Sequence, residues 1–493
     1  MQERIDLQKF KSLILNFLSQ ERLDKLRSFF MGKWYPVWIA VSVILGRMLG
    51  MELYFALIDF ILVSVSLVLC DSIRPVIPNL VSFLYRISLE HSPGVPYYST
   101  YFTGVKMIFF VIFSAMFFAA LAYFFISRRK RIFSGFSLRR IPLVLPLCLL
   151  SMAFLLGGAF SGKHTVSDFE FAFLQIFVFF VVFLILYFGL RTEKVEELCD
   201  YFVYVCAILA VVLSWQVIEA LLTVEGIIIN GVINKNMVCF GWGISNTCGS
   251  AISVLIPICF LGAIKSEKYW IAYFSIATLS IITTSLTLSR SALLVGAIMY
   301  IACLIICCFV GDNKRKLRVA TVITVIGFII LFMVLGEELE RLFGSMINNG
   351  LKDNGRYYLW ELAFENFKSA PIFGIGFFSF DGMTPLSEFT PAMAHNTVLQ
   401  LLSSMGMFGL LAYSYYRVCT ALVILKHPNK EKMLLMISGM MLIGESLLDN
   451  FIFWFNPIFV YNIIIIIAIM YNEKRASEAT PLTDGVISQD LPE

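Results

Sequence analysis

Apolar stretches of about 20 residues, almost free of charge, recur along the chain between short polar connections. Each is long enough to cross a bilayer as a helix. A membrane β-barrel would alternate apolar and polar positions, and these runs are continuous. The pattern predicts spans near 35–49, 51–70, 72–88, 103–126, 141–160, 169–189, 200–222, 247–264, 269–287, 291–310, 317–335, 395–425, 433–450 and 452–471. The first and third are short and could be re-entrant, so about 12–14 transmembrane helices are expected in an all-α polytopic membrane protein. Ahead of them, residues 4–30 place Ile5, Phe10, Ile14, Phe17, Leu18 and Leu26 at helical spacing among Lys9, Lys11, Lys25 and Arg27. That is an amphipathic helix, lying on the membrane surface or docked on the protein's own loops. The chain divides into a leader (1–33), an N-terminal bundle (34–335), a long loop with a short helix (336–394), C-terminal helices (395–473) and a polar, disordered tail (474–493).

Composition agrees. Of 493 residues, 59% are apolar and 15% charged, against about 25% charged in soluble domains. That excludes a soluble enzyme, a coiled coil and a disordered chain. Basic residues cluster at Arg128–Arg131 with Arg139 and Arg140, at Lys314–Lys316 with Arg318, at Lys426, Lys430 and Lys432, and at Lys474 and Arg475. The positive-inside rule makes all four clusters cytoplasmic, and the number of spans between them has the right parity throughout. Both termini are then cytoplasmic, and the stretches 89–102, 223–246 and 336–394 lie outside. The last is far longer than a connection requires and carries eight acidic residues against Arg341, Lys352, Arg356 and Lys368; long loops of this kind tend to carry function. Most of the eleven cysteines fall in or beside apolar spans as inert thiols, while Cys239 and Cys248 share one outer loop and could pair.

Within the long loop, Arg356, Trp360, Ala363 and Phe367 share one helical face. Asp353 or Asn354 can cap that helix and Pro371 stops it. Arg290 opens another helix behind Ser289, a good N-cap. His395 and Asn396 open a third. Three outer helix N-termini thus carry Arg290, Arg356 and His395. Helix starts favour anions, and the planar fork of arginine suits phosphate oxygens; a histidine there can serve as a general base. Glu445 and Asp449 lie four apart on one face of the penultimate span, where intramembrane acids are candidates for pairing with an arginine or holding a sugar hydroxyl. Asp59 has no evident role. No DxD-type acidic motif lies on the outer loops.

The pattern Arg356…Trp360…Ala363…Phe367…Pro371…Gly374-x-Gly376…His395-Asn396…Leu399…Gly406…Gly409 resembles the signature of the O-antigen ligase and polymerase superfamily. Leu288-Ser289-Arg290-Ser291 is similar to its upstream arginine motif, and Gly241-Trp242-Gly243-Ile244-Ser245-Asn246 to a Gly/Asn segment of relatives. The likeness spans roughly 235–425. It implies a multi-span glycosyltransferase of the bacterial cytoplasmic (inner) membrane, with its active site on the extracytoplasmic side. The donor would be a glycan on undecaprenyl pyrophosphate and the acceptor a lipid or another glycan. Membrane lipids would surround it, with no nucleic acid, no cofactor and no required metal. By the matched positions Arg290 and Arg356 would hold the pyrophosphate and His395 would assist the acceptor hydroxyl, with Asn396, Trp360, Glu445, Asp449 and Asn246 around the substrate. Polymerases of the group often carry two arginine-rich outer loops; the 223–246 loop has no arginine. The rival readings are a flippase or transporter for lipid-linked glycan, which would place charges along a central pathway, and an intramembrane hydrolase using Ser289 or Ser291.

Overall fold

A computed structural model describes residues 20–86, 104–134, 141–240, 242–311, 313–344, 346, 355–379 and 393–479. The described chain is all-α apart from one two-stranded hairpin. Its principal helices in chain order are α1 (Gln20–Met31), α2 (Trp34–Leu49), α3 (Glu52–Leu69), α4 (Val76–Ser82), α5 (Gly104–Ser127), α6 (Val144–Leu156), α7 (Val166–Leu190), α8 (Val195–Thr223), α9 (Ser245–Lys265), α10 (Trp270–Leu286), α11 (Arg290–Phe309), α12 (Lys314–Leu342), α13 (Arg356–Ser369), α14 (Thr397–Leu425), α15 (Lys430–Leu448) and α16 (Phe455–Ala479).

Among the described residues nine helices are long and apolar enough to cross a membrane, or ten if α1 and α2, bent by 68°, make one span. Against the expected 12–14 spans, two shorter apolar helices, Val144–Leu156 and Trp270–Leu286, stand beside these nine or ten. Apolarity fixed where helices form but not how far they run. The 72–88 run folds as the seven-residue α4 and a 3₁₀ turn, and the 141–160 run as the 13-residue α6. The 269–287 run gives the 17-residue α10. The 433–450 run becomes α15, which carries Lys430, Glu431, Lys432 and Glu445. Helix α12 breaks at Leu335 (φ −115°, ψ 21°), where the expected span ends, and a further helical stretch enters the expected loop as far as Leu342; α16 continues past 473 to Ala479. The stretch 89–102, most of the leader and residues 480–493 lie outside the described residues.

The described part of the leader docks on the protein. Phe30 packs with Tyr35, Ile39 and Cys70, and Arg27 donates to the Leu69 carbonyl at 3.0 Å. Asp59 also has a structural explanation: it is buried, ion-paired with Arg86, and accepts from Trp38 Nε1 at 3.1 Å and Ser42 Oγ at 2.5 Å. A buried charge so fully bonded positions α2, α3 and the turn after α4.

Two features position the site. The first is α9, buried along its span and packed on α8, α10, α11 and α15. Its small residues allow close helix approach: a Cβ at Gly249 would lie 2.7 Å from Thr287 Oγ1 and 2.9 Å from Ala292 Cβ. The second is a break in α14 at Gly406 (φ 65°, ψ −164°). The segment 371–376 runs alongside this break. Ile375 and Gly376 donate to the Ser403 and Ser404 carbonyls at 2.9 and 3.0 Å, and Met407 and Phe408 donate to Pro371 and Ile372 at 2.9 and 3.1 Å. Backbone groups that a helical break frees are thus paired again.

Candidate active site

Three helix starts meet at one end of the bundle. Helix α11 begins at Arg290, and Ser289 caps it as expected, its Oγ accepting from the Ala292 N–H at 3.3 Å. Helix α13 begins at Arg356 and ends at Ser369, just before Pro371. Its N-cap is Gly355, in the left-handed region at φ 82°, with no side-chain cap; the expected caps Asp353 and Asn354 lie outside the described residues. Helix α14 begins at Thr397. Asn396 is its N-cap, the Oδ1 accepting from Val398 and Leu399 at 3.0 and 3.1 Å while the Nδ2 donates to the Leu447 carbonyl at 3.1 Å. His395 therefore stands one residue ahead of the cap rather than in the helix. Both His395 (φ 50°) and Leu288 (φ 56°) hold left-handed backbone. That conformation costs a non-glycine residue about 1–3 kcal/mol and tends to occur where function requires it.

His395 Nδ1 lies 2.9 Å from Asp449 Oδ1. Asp449 also accepts from Asn246 Nδ2 at 3.2 Å and from the Asn450 N–H at 2.7 Å. It does not share a helical face with Glu445, because α15 ends at Leu448 and Asp449 is its extended C-cap (φ −153°, ψ 173°). That extension turns its carboxylate toward His395. Glu445 is fully buried and accepts from Ser250 Oγ of α9 at 2.8 Å. Arg356 lies near enough to act electrostatically on both carboxylates.

The sequence motif has a compact physical basis. Ala363 of α13, Ile375 of the turn and Ala394 beside His395 form a small core of their own, closed by Ala370 and Leu399. At Gly374 (φ 70°) a Cβ would come within 2.3 Å of Ser404 backbone, and at Gly406 within 2.4 Å of Ile372 backbone. The spacing of the motif therefore records how α13 and its turn seat on α14. Trp360 is half-buried on α13, its ring edge-on to Tyr357 at 5.4 Å. Its indole N–H is buried and has no hydrogen-bond partner among the described residues.

Several residues that matter here gave no sequence signal that was used. Gln400 Oε1 accepts from the Ala394 N–H and from Asn450 Nδ2, both at 2.8 Å, so one amide holds the backbone next to His395 and the residue next to Asp449. A polar residue four places after Asn396 in an apolar helix was the available clue. Asp168 accepts from Phe378 N–H at 2.7 Å and Ser379 Oγ at 3.0 Å, and completes a capping box with Thr165 at the start of α7. It pins the far side of the turn. Lys235, in the loop between α8 and α9, is near enough to Arg290, Arg356 and Asp449 for their charges to act on it. Its pKa is lowered, first by burial and then by the two arginines, with Asp449 opposing. Cys248 is a buried thiol outside any disulfide, so the possible pairing of Cys239 with Cys248 is not formed.

The arrangement offers cations at helix starts and a carboxylate-held imidazole at one end of a membrane bundle. Among the described residues no group of three or more His, Cys, Asp or Glu side chains is placed to hold a metal ion. Residues 275–414 match the family model for O-antigen ligase. The match places this stretch in the O-antigen ligase and polymerase superfamily. It takes in Arg290, Arg356 and His395 and leaves Asn246 and Asp449 outside, although the fold joins these two to His395 by hydrogen bonds. The O-antigen ligase family transfers glycans, with a lipid-linked glycan and an acceptor as partners. No curated protein matches the chain.

Proposed function

We propose that the protein is a glycosyltransferase that moves a glycan from undecaprenyl pyrophosphate to an acceptor hydroxyl at the extracytoplasmic face of a bacterial inner membrane. The observation that carries the reading is the meeting of Arg290, Arg356 and the His395–Asp449 pair at one end of the bundle, within and beside the stretch that matches the family.

The chemistry follows from the donors and acceptors present. An ionised carboxylate only accepts hydrogen bonds, so Asp449 requires a proton on His395 Nδ1 and leaves the Nε2 lone pair free in the neutral ring. Nε2 takes the proton of the acceptor hydroxyl as its oxygen bonds to the anomeric carbon. The bond from that carbon to the pyrophosphate oxygen breaks, and its electron pair leaves with undecaprenyl pyrophosphate. Arg290 and Arg356 stabilise the charge that develops there. Asp449 offsets the charge left on the imidazolium. Asn246 and Gln400 fix the position of the pair, Glu445 ties α15 to α9 beneath it, and Trp360 and Asn396 border the substrate. The reaction needs no metal.

Orientation rests on charge. Helix α11 runs from Arg290 toward the Lys314–Arg318 cluster, α14 runs from the site to Lys426, and α15 returns from Lys430 to Asp449. Both of these basic clusters sit at the end opposite the site, which supports cytoplasmic clusters and a site outside. The test is purified protein in liposomes with an undecaprenyl-pyrophosphate-linked glycan and an acceptor, in EDTA. Transfer is expected, and Arg290→Ala and Arg356→Ala should bind the donor poorly and nearly abolish it while remaining folded. Glycan carried across the bilayer unchanged would instead identify a flippase, and magnesium-dependent transfer would overturn the metal-free step.

A further inference from the structure

The basic turn after α5 is held to the protein through two of its arginines. Arg128 pairs with Asp71 at 3.2 Å and donates to the Val68 and Cys70 carbonyls, and Arg131 donates to the Asp71 carbonyl. Ile132 is buried, and the ring of Phe133 lies 4.9 Å from that of Phe188 on α7. Between these anchors Arg129 and Lys130 are exposed, and Arg191 stands at the end of α7. Deeper in the bundle, a cavity of about 440 Å³ lies among α3, α4 and its 3₁₀ turn, α5, the second half of α7, and α16. Phe60 builds one wall, its ring edge-on to Phe83, Phe110 and Phe117 at 5.8, 5.9 and 6.0 Å. Asp59 and Arg86 also border the cavity, but they are bonded to each other and to Ser42 and Ser82, so the wall they present is close to neutral. On the other side α7 passes through a π-helical turn at Phe177–Val181, a feature frequent at functional sites.

Phe118 of α5 and Phe177 of α7 line the cavity yet are 51% and 37% exposed, so it opens sideways between these helices. The opening is continuous with the apolar outer face of α5, where Val105, Ile108, Val111 and Ile112 are exposed as a lipid-facing surface. Leu121, which also lines the cavity, stands about 10 Å along the helix from Arg128. An apolar slot open to the bilayer, with exposed cations at the helix ends below it, has the chemistry of an anionic phospholipid site. The donor's chain fits less well. Helix α7 starts at the active-site end, where Asp168 holds the Phe378 N–H, and the cavity borders its half nearer Arg191. We propose that the cavity and the basic turn together bind one anionic phospholipid, with an acyl chain in the slot between α5 and α7 and the phosphate at Arg129, Lys130 and Arg191. The chain fills the side of α5 turned away from α3, on which this helix packs, and so ties it to α7. This inference stands apart from the glycosyltransferase reading and does not need it.

The test uses the full-length protein in phosphatidylcholine nanodiscs, with a trace of phosphatidylglycerol that carries a photoactivatable group near the end of one acyl chain. Labelled peptides are mapped by mass spectrometry. Labelling is expected on the cavity-lining parts of α5 and α7, and unlabelled phosphatidylglycerol should compete it away where the bulk phosphatidylcholine does not. The double variant Arg129→Gln with Lys130→Gln changes two exposed side chains. It should weaken that competition roughly 30-fold, the worth of two basic residues beside an anionic headgroup. Ser114→Phe places a ring in the cavity and should remove the label from α7. If that variant fails to fold, the wild-type map and the double variant still decide. Label spread evenly over lipid-facing helices, α12 included, would mean ordinary bilayer contact and overturn the proposal. Unchanged competition in the double variant would do the same. Stronger competition by undecaprenyl phosphate than by phosphatidylglycerol would give the cavity to an isoprenoid chain instead.

Discussion

Replacing Asp449 with asparagine tests the proposed base most directly, because the local hydrogen bonds fix what the new amide must do. Oδ1 of Asp449 serves both the Asn450 N–H at 2.7 Å and His395 Nδ1 at 2.9 Å. An amide oxygen can keep that place, which directs the new NH₂ group at Asn246 Nδ2, now 3.2 Å from Oδ2. Two donors then face each other, and Asn246 relieves this by turning its own amide over. The orientation of the imidazole survives and the charge is lost. A hydrogen bond to a charged group is worth about 1.5–3 kcal/mol, so transfer should fall roughly 10- to 150-fold with donor binding little changed. Asp449→Ala also removes the orientation, so its loss should approach the ~10²–10⁴-fold that general-base help supplies. The assay is single-turnover transfer by purified protein in nanodiscs with saturating lipid-linked donor. If the two residues act as a unit, His395→Gln combined with Asp449→Asn should be no slower than His395→Gln alone. Wild-type rates in Asp449→Asn, or losses that multiply in the double variant, would refute the paired-base argument.

Gly406→Ala should lower the thermal unfolding temperature and abolish transfer, since its Cβ would meet Ile372 backbone at 2.4 Å and its positive-φ, extended-ψ conformation (φ 65°, ψ −164°) alone costs any other residue about 1–3 kcal/mol; Gly327→Ala on α12, where nothing lies within 4 Å, should leave both unchanged. In a cysteine-free background, Lys368→Cys should react with an impermeant thiol reagent in intact cells, whereas Arg131→Cys and Arg315→Cys should be protected; labelling at 131 or 315 would reverse the orientation.

Fold class was legible because continuous apolar runs leave few alternatives to membrane helices, and the helix beginning at Arg356 was legible because its face alternates with helical period. Helix lengths were not. Gly157-Gly158 inside the apolar run at 141–160 suits either a helix stop or close helix packing; the helix ends at Leu156, and Gly158 (φ 76°) donates to the Phe373 carbonyl at 3.0 Å. The cationic helix starts could be read from Ser289-Arg290 and from the residues following Gly355. The pairing of His395 with Asp449 could not: they are far apart in sequence, and helical spacing pointed Asp449 toward Glu445. Only the C-cap conformation of Asp449 redirects it.

The break at Gly406 divides α14. The 371–376 segment is fastened to both sides of it, to the Ser403 and Ser404 carbonyls before the break and to the Met407 and Phe408 N–H groups after it, and the first half is tied through Leu399 to the small core that holds α13. The longer half, to Leu425, belongs to the span. Membrane helices tilt to match bilayer thickness. Because the 371–376 segment bridges the two halves, a tilt of the long half is not lost at Gly406 but passes through Met407 and Phe408 to Pro371 and Ile372. The end of α13 is thereby coupled to the thickness of the membrane that the long half crosses.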